Sequence, residues 1–283
     1  MQLTYPKFPR SLTGCVCFSL VLPCVVRAEN PFINWEAQLY GGEYYEDKRI
    51  GAYGIAAKSI LSDFAITGEI LYERYNDYNF SGVGGHLTWE ATESAKFGLV
   101  GSHSVGEYDL DPGFEDPNWE NTSDTVGVET ELNRDPVTLA VQLAKILKNN
   151  FNDDRYYLSG DLYFWGAEYL WYARTAVRRT RSYKEYTIEG YRTFFADVFP
   201  LSLYVGATRN DLGTKEELRT YHTNYDSVYT GGYIEFLSTR SSAWNLWLEA
   251  ARQENDTVFS VELNVAFGPG VDAPYISAFG FMP

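Results

Sequence analysis

Apolar and polar residues alternate along most of this chain with a period of two. From Val258 to Gly268 the sequence reads VFSVELNVAFG: Phe259, Val261, Leu263, Val265 and Phe267 are apolar, and Ser260, Glu262, Asn264 and Ala266 between them are small or polar. Successive side chains of a strand point to opposite faces, so such a segment has one greasy side and one polar side. The pattern recurs in 64–73, 82–91, 126–132, 137–143, 156–164, 201–207 and 244–250, whereas helical i, i+3, i+4 stripes are nearly missing. With noisier segments included, it predicts about fourteen strands, within a range of twelve to sixteen: 34–46, 50–61, 63–76, 79–92, 95–108, 123–133, 136–148, 155–165, 167–178, 184–196, 199–209, 224–237, 242–253 and 256–267. Most run ten to fourteen residues. Strands of globular proteins have a mode of ~5–6 residues, whereas a tilted strand crossing a bilayer needs ~9–11.

The connections are sorted. Those after even-numbered strands are short, as at Ser62, Glu93-Ser94, Arg134-Asp135, Gly166, Asp197-Val198 and 238–241. Those after odd-numbered strands include all the long ones, at 109–122, 149–154, 179–183 and 210–223. Short turns on one rim and long loops on the other is the layout of a membrane barrel with its short rim in the periplasm. A sandwich or propeller has no reason to sort loop length by strand parity.

The N-terminus agrees. Lys7 and Arg10 precede an apolar run from Leu12 to Val26, and Val-Arg-Ala stands before Glu29. That is the three-part layout of a secretory signal peptide spanning 1–28, cleaved after Ala28. Leu12-Thr13-Gly14-Cys15 looks like a lipoprotein box, but it precedes most of the apolar run and so argues against lipidation. Cys15, Cys17 and Cys24 all lie in this leader, so residues from 29 onward carry no disulfide framework or thiol chemistry. Loss of Lys7, Arg10 and Arg27 would take the formal charge from −15 to −18, which gives nucleic acid no footing. Past the leader no apolar run nears the ~20 residues of a membrane helix. Alternating strands hide their hydrophobicity from such a scan.

Together, the leader, the acidic cysteine-free remainder, the long alternating strands and the loop asymmetry resemble the bacterial outer-membrane β-barrel proteins over residues 29–267. The resemblance is to an architecture, since no motif singles out one family. It implies an all-β, antiparallel transmembrane barrel in the cell outer membrane, monomeric, with lipids and lipopolysaccharide as partners. Such barrels often finish on an aromatic-ended strand, and Phe267 fits that place. This chain continues through GPGVDAPYISAFGFMP, residues 268–283, as a C-terminal tail or an additional strand.

Fourteen strands at ~4.8 Å spacing and ~40° tilt enclose a backbone diameter of roughly 28 Å, with a bore on the order of 10–15 Å after side chains. By parity Glu69, Glu73, His86, Glu90, Glu129, Glu131, Asp161, Glu168, Glu189, Glu235, Glu249 and Glu262 face inward, against few inward bases, chiefly Arg155, Arg174 and Arg178. One reading is a water-filled lumen of negative potential that favours cations and neutral solutes. The other is a set of carboxylates paired with Arg or Tyr to knit the wall. Arg174, Arg178, Arg179, Arg181 and Lys184 form a basic cluster at one rim, read as an arc facing acidic loop three, as an anchor for lipopolysaccharide phosphates, or as a solvated loop. Arg192 falls on the outward parity, which requires a bulge or an interfacial position.

Loop three, EYDLDPGFEDPNWEN, carries Asp109, Asp111, Glu115 and Asp116 and is the candidate to fold inward as a constriction. Its oxygen ligands suit calcium, but the twelve-residue calcium-loop pattern is absent. No metal, cofactor or catalytic residue is therefore expected. An enzyme reading has to use His86, His103 or His222; Ser102-His103-Ser104 invites a Ser-His pair, but strand neighbours point to opposite faces. His222 near Asp211 and Asp226 is a candidate pH-sensitive gate, or a protease-like group if loops three and six converge. The expectation is a porin-like channel for small hydrophilic solutes. A protease or lipid-modifying barrel and a plugged structural or adhesion barrel are the alternatives.

Overall fold

In the computed structural model the alternating segments close into one antiparallel barrel of fourteen strands. The structure describes residues 34–44, 47–75, 78–109, 118–149, 156–166, 170–179, 183–194, 200–212, 226–239, 242–253, 256–268, 270–271 and 274–279. The predicted leader, 1–28, lies outside them. The strands are β1 (Asn34–Tyr44), β2 (Asp47–Leu61), β3 (Phe64–Tyr75), β4 (Tyr78–Thr92), β5 (Ala95–Asp109), β6 (Asn118–Arg134), β7 (Val137–Asn149), β8 (Tyr156–Trp165), β9 (Trp171–Arg179), β10 (Tyr183–Phe194), β11 (Leu201–Leu212), β12 (Ser227–Ser238), β13 (Ser242–Gln253) and β14 (Asp256–Phe267). Each pairs with its sequence neighbours, and β14 returns to β1 through Ala37↔Phe267 to Glu43↔Val261. Closure leaves no free strand edge, the condition for a sheet to sit in lipid.

The period-two pattern decides which face is outside. On β3, Ile70 is 61% exposed and its neighbour Glu69 2%; on β14, Phe259 is 67% exposed and Glu262 3%. Val83, Leu99, Val128, Leu143, Ile188 and Val205 continue the apolar belt around the barrel. Near the short-turn rim the outward residues become aromatic. Phe64, Trp89 and Phe97 contact one another at centroid separations of 6.3 and 6.2 Å, and Phe164 meets Trp171 at 5.9 Å. This is an interfacial girdle, where amphipathic rings sit at headgroup level. Arg192 lies in the same band, outward and 4.9 Å over the Phe194 ring, in unbroken register with Trp171 and Leu203. The interfacial position explains its parity, and no bulge is involved.

Two expectations change. β6 starts at Asn118, so loop three spans 110–117 and is shorter than the fourteen-residue loop read from the sequence. The start of β2 at Asp47 also adds Arg49 to the inward residues.

Among the described residues the tail adds no strand. Gly268, at φ 104°, turns the chain after β14, in a place where a Cβ would stand 2.4 Å from the Trp35 carbonyl oxygen. From there the chain runs back into the barrel, and Pro274 to Phe279 are buried inside it.

A candidate plugged lumen

The lumen has two unlike halves. Along β8 to β13 the inward side chains are large and fill the space themselves. Tyr172 stacks on Tyr191 (5.0 Å, 7° between planes) and Tyr191 on Tyr204 (5.5 Å, 7°). Tyr163 stacks on Trp165, and Tyr233 tilts against Tyr191. Offset-stacked rings are a favourable aromatic geometry and bring a large buried surface.

Charges within this half are matched internally. Arg174 reaches Glu189 at 3.1 Å and Asp161 at 3.2 Å, and Arg178 reaches Asp161 at 2.5 Å. Tyr229 donates its hydroxyl hydrogen to Glu189 and Tyr204 donates to Glu249. The basic arc expected at the rim is thus corrected for Arg174 and Arg178. Their parity puts them on the inner wall beside Asp161, where both guanidinium groups are almost wholly buried. A buried guanidinium needs such partners, because its desolvation is otherwise uncompensated. Arg179 faces outward and Arg181 lies outside the described residues.

On the opposite side Arg49 sits over the Tyr40 ring at 4.7 Å and bonds Glu73 at 2.5 Å and Glu262 at 3.3 Å. Glu73 also accepts the Tyr40 hydroxyl. The inward placement of Glu73, Glu249 and Glu262 follows their parity, but these carboxylates hold the wall together and do not stand free in a pore. Arg49 was missed because the predicted second strand began at Ile50; its alternation with Gly51, Tyr53 and Ile55 was the available signal.

The wall formed by β3 to β7 is built differently, around the tail. Several of its inward positions are small: Gly82 and Gly84 on β4, Gly98 and Ser102 on β5, Gly127 on β6. A Cβ on Gly84 would lie 2.5 Å from the Ala278 Cβ, and one on Gly82 would lie 2.6 Å from the Phe279 ring. Gly82 and Gly84 therefore floor a groove whose occupants include Ala278 and Phe279. Phe279 packs with Leu71 and Phe80, and Tyr275 meets Tyr163 at 5.3 Å. Polar contacts fix the main chain. Glu131 accepts the Tyr275 N–H at 2.5 Å, Glu69 accepts the Ala278 N–H at 3.3 Å and the Ser277 hydroxyl, and Gln142 donates to the Ser277 carbonyl at 3.4 Å. His86 bridges Glu69 (2.8 Å) and Glu129 (2.9 Å), so three inward residues are locked in one chain beneath the tail.

A cavity of about 140 Å³ remains at the short-turn mouth. Glu90, Lys96, Glu129 and Glu131 line it with Lys58 and Asp63, and Pro274 of the tail forms part of its wall. Inward tyrosines and tryptophans and the returning tail occupy much of the expected 10–15 Å bore, because the estimate counted strands without them.

The remaining candidates divide. Asp109 ends β5, with its side chain outside the described residues, as are Asp111, Glu115, Asp116, Arg155, Glu168 and His222 in full. His103 points outward and bonds Asp124 at 2.5 Å, while Ser102 and Ser104 are buried on the inner face. The Ser-His pairing within 102–104 fails on that geometry. No group of ligands suited to a metal ion occurs among the described residues.

No family model matches the chain, and no curated protein matches it. Among solved structures it is similar to a deletion mutant of TodX, a monoaromatic hydrocarbon channel. That match has a TM-score of 0.53 and 11% identity over 84% of this chain and 89% of that one. Looser matches are BamA from Haemophilus ducreyi (TM-score 0.48, 8% identity, 84% and 71% covered) and Salmonella typhi OmpF (0.45, 10%, 83% and 97%). At these identities the likeness speaks for the fold alone. The closed antiparallel barrel, with its apolar belt, aromatic girdle and short-turn rim, has the architecture of outer-membrane β-barrel proteins.

Proposed function

We propose that this protein is an outer-membrane channel for small hydrophilic solutes, closed in the present conformation by its own C-terminal segment. One observation carries the reading: a groove in the lumen wall, floored by Gly82 and Gly84, is occupied by residues that belong to no strand. The sheet closes through β1 and β14 without them. Withdrawal of the tail would therefore vacate a path along β3 to β7 and leave the barrel closed.

That path favours cations and neutral solutes. Glu69, Glu129 and Glu131 line it, with His86 and Lys96 on the same wall, whereas Arg49, Arg174 and Arg178 are each held by acids of their own. Fixed carboxylates in a low-dielectric passage raise the local concentration of cations. The expected surroundings are outer-membrane lipid and lipopolysaccharide around a single copy.

The test is planar-bilayer recording of the whole protein beside a form ending at Gly268, with heat-modifiable gel mobility to confirm that both are folded. The whole protein is expected to stay mostly closed, and the shortened one to conduct with a cation-selective reversal potential in a salt gradient. A folded, inserted, shortened barrel that passes no current would refute the channel and favour the plugged structural reading.

A further inference from the structure

The contacts that hold the tail are of a particular kind. Glu131 and Glu69 take backbone N–H groups of Tyr275 and Ala278, and Gln142 gives a hydrogen bond to the backbone carbonyl of Ser277. Three main-chain groups within four residues are thus read by buried side chains from three different strands. Gly84 makes room for Ala278 between the aromatic anchors, and Gly82 for the Phe279 ring itself. The two anchors, Tyr275 and Phe279, stand four residues apart and use separate pockets: Tyr163 with its stacked neighbours for one, Leu71 and Phe80 for the other. The held segment bends at Tyr275 and Ile276 and turns at Ala278 and Phe279, and main-chain hydrogen bonds combined with spaced side-chain pockets are a general mode of peptide recognition.

Resting on the channel reading above, we propose that this groove is a binding site for short peptides supplied from outside the chain that take up the same bent course, and that the tail is its tethered resident. The ligand class is a short peptide with two aromatic side chains four residues apart, an aliphatic residue directly after the first and small residues before the second. Charge agrees with this choice, since carboxylate acceptors favour N–H donors and would repel an anionic solute. A tethered occupant enjoys an effective concentration in the mM range, so a free peptide competes only once the tether is cut.

The experiment keeps the full chain. A protease recognition sequence is inserted between Gly270 and Val271, the protein is folded and placed in nanodiscs intact, and the tether is then cut and the released segment washed out. Binding is read as anisotropy of three labelled peptides: VDAPYISAFGFMP, an unrelated sequence keeping the two aromatics, the isoleucine and the small residues, and the first peptide with alanine at both aromatic positions. The first two are expected to bind saturably and the third about ten-fold or more weakly, since each lost ring contact and its burial approaches a decade of affinity. In a parallel Gly84→Leu barrel, whose groove is filled, binding should vanish. Three results would overturn the proposal: no peptide binds, the first binds and the unrelated one does not, or the cut segment cannot be washed out. Conductance of the same cut barrel is recorded separately. Current without peptide binding removes this inference and leaves the channel; binding without current removes the channel and leaves the site.

Discussion

Gly84→Ala isolates the fit between the tail and its groove, because it changes neither a charge nor any residue of the tail. Gly84 lies mid-strand on β4, where alanine is conformationally acceptable, and the new methyl would stand 2.5 Å from the Ala278 Cβ and 3.3 Å from the Ser102 Cβ. Carbon atoms in good contact sit ~3.5–4.0 Å apart, so Ala278 would have to retreat by about 1 Å or more. Its backbone N–H is tied to Glu69 and the next residue fills a closed aromatic pocket, which resists that shift. Overpacking of this sort costs about 1–3 kcal/mol, a change of about 5- to 150-fold in the ratio of docked to undocked tail. The assay is single-channel recording, read as open probability, with chymotrypsin cleavage of the tail after Tyr275 or Phe279 in detergent as a second probe. Both should rise in Gly84→Ala. Ala278→Gly removes the opposing methyl and should return both toward the original values in the double variant. If Gly84→Ala leaves open probability and cleavage unchanged, or if the second substitution gives no recovery, the tail does not sit against this glycine as described.

Other predictions concern the wall. Arg49→Met leaves Glu73 and Glu262 buried without their guanidinium partner and should destabilise the barrel by about 3–5 kcal/mol; the check is the temperature at which the compact gel band is lost, with recovery expected on adding Glu73→Gln and Glu262→Gln. On the lipid face, Val261→Arg should cost ~2–4 kcal/mol if it lies near mid-membrane, seen as a lower urea midpoint for folding into vesicles, whereas a lumenal Val261 would give no such loss. In the form ending at Gly268, Glu69→Gln with Glu131→Gln should shift the reversal potential toward zero, and an unchanged potential would show that these carboxylates do not set selectivity.

Much of the fold was legible because one rule, period two, governs every strand and its error does not accumulate. Ile70 against Glu69, and Phe259 against Glu262, were assigned to opposite faces correctly from alternation alone. Strand edges were harder: Arg49 escaped because Asp47 and Lys48 gave no apolar cue to extend β2. The inner wall was only half legible. Parity placed Asp161, Glu189, Arg174 and Arg178 inside, yet which charges meet depends on register across β8, β9 and β10, which alternation does not encode. Residues 275–279 carried no period at all, and their role depends on glycines nearly two hundred positions away. The cue was present in the inward Gly82 and Gly84, since a wall that omits side chains on one half of a lumen leaves room for something else.

The most direct measurement locks the tail in place and then frees it in the same membrane. Gly84→Cys and Ala278→Cys place two Cβ atoms 2.5 Å apart, within about 1–2 Å of the spacing a disulfide needs. The sequence has no cysteine after Cys24 to interfere. Under oxidising conditions the barrel should be folded and silent in a planar bilayer. Addition of reductant to the periplasmic side should start a cation-selective current, because the crowded tail can then leave its groove. Equal currents before and after reduction would contradict the central claim that residues 275–279 close this channel.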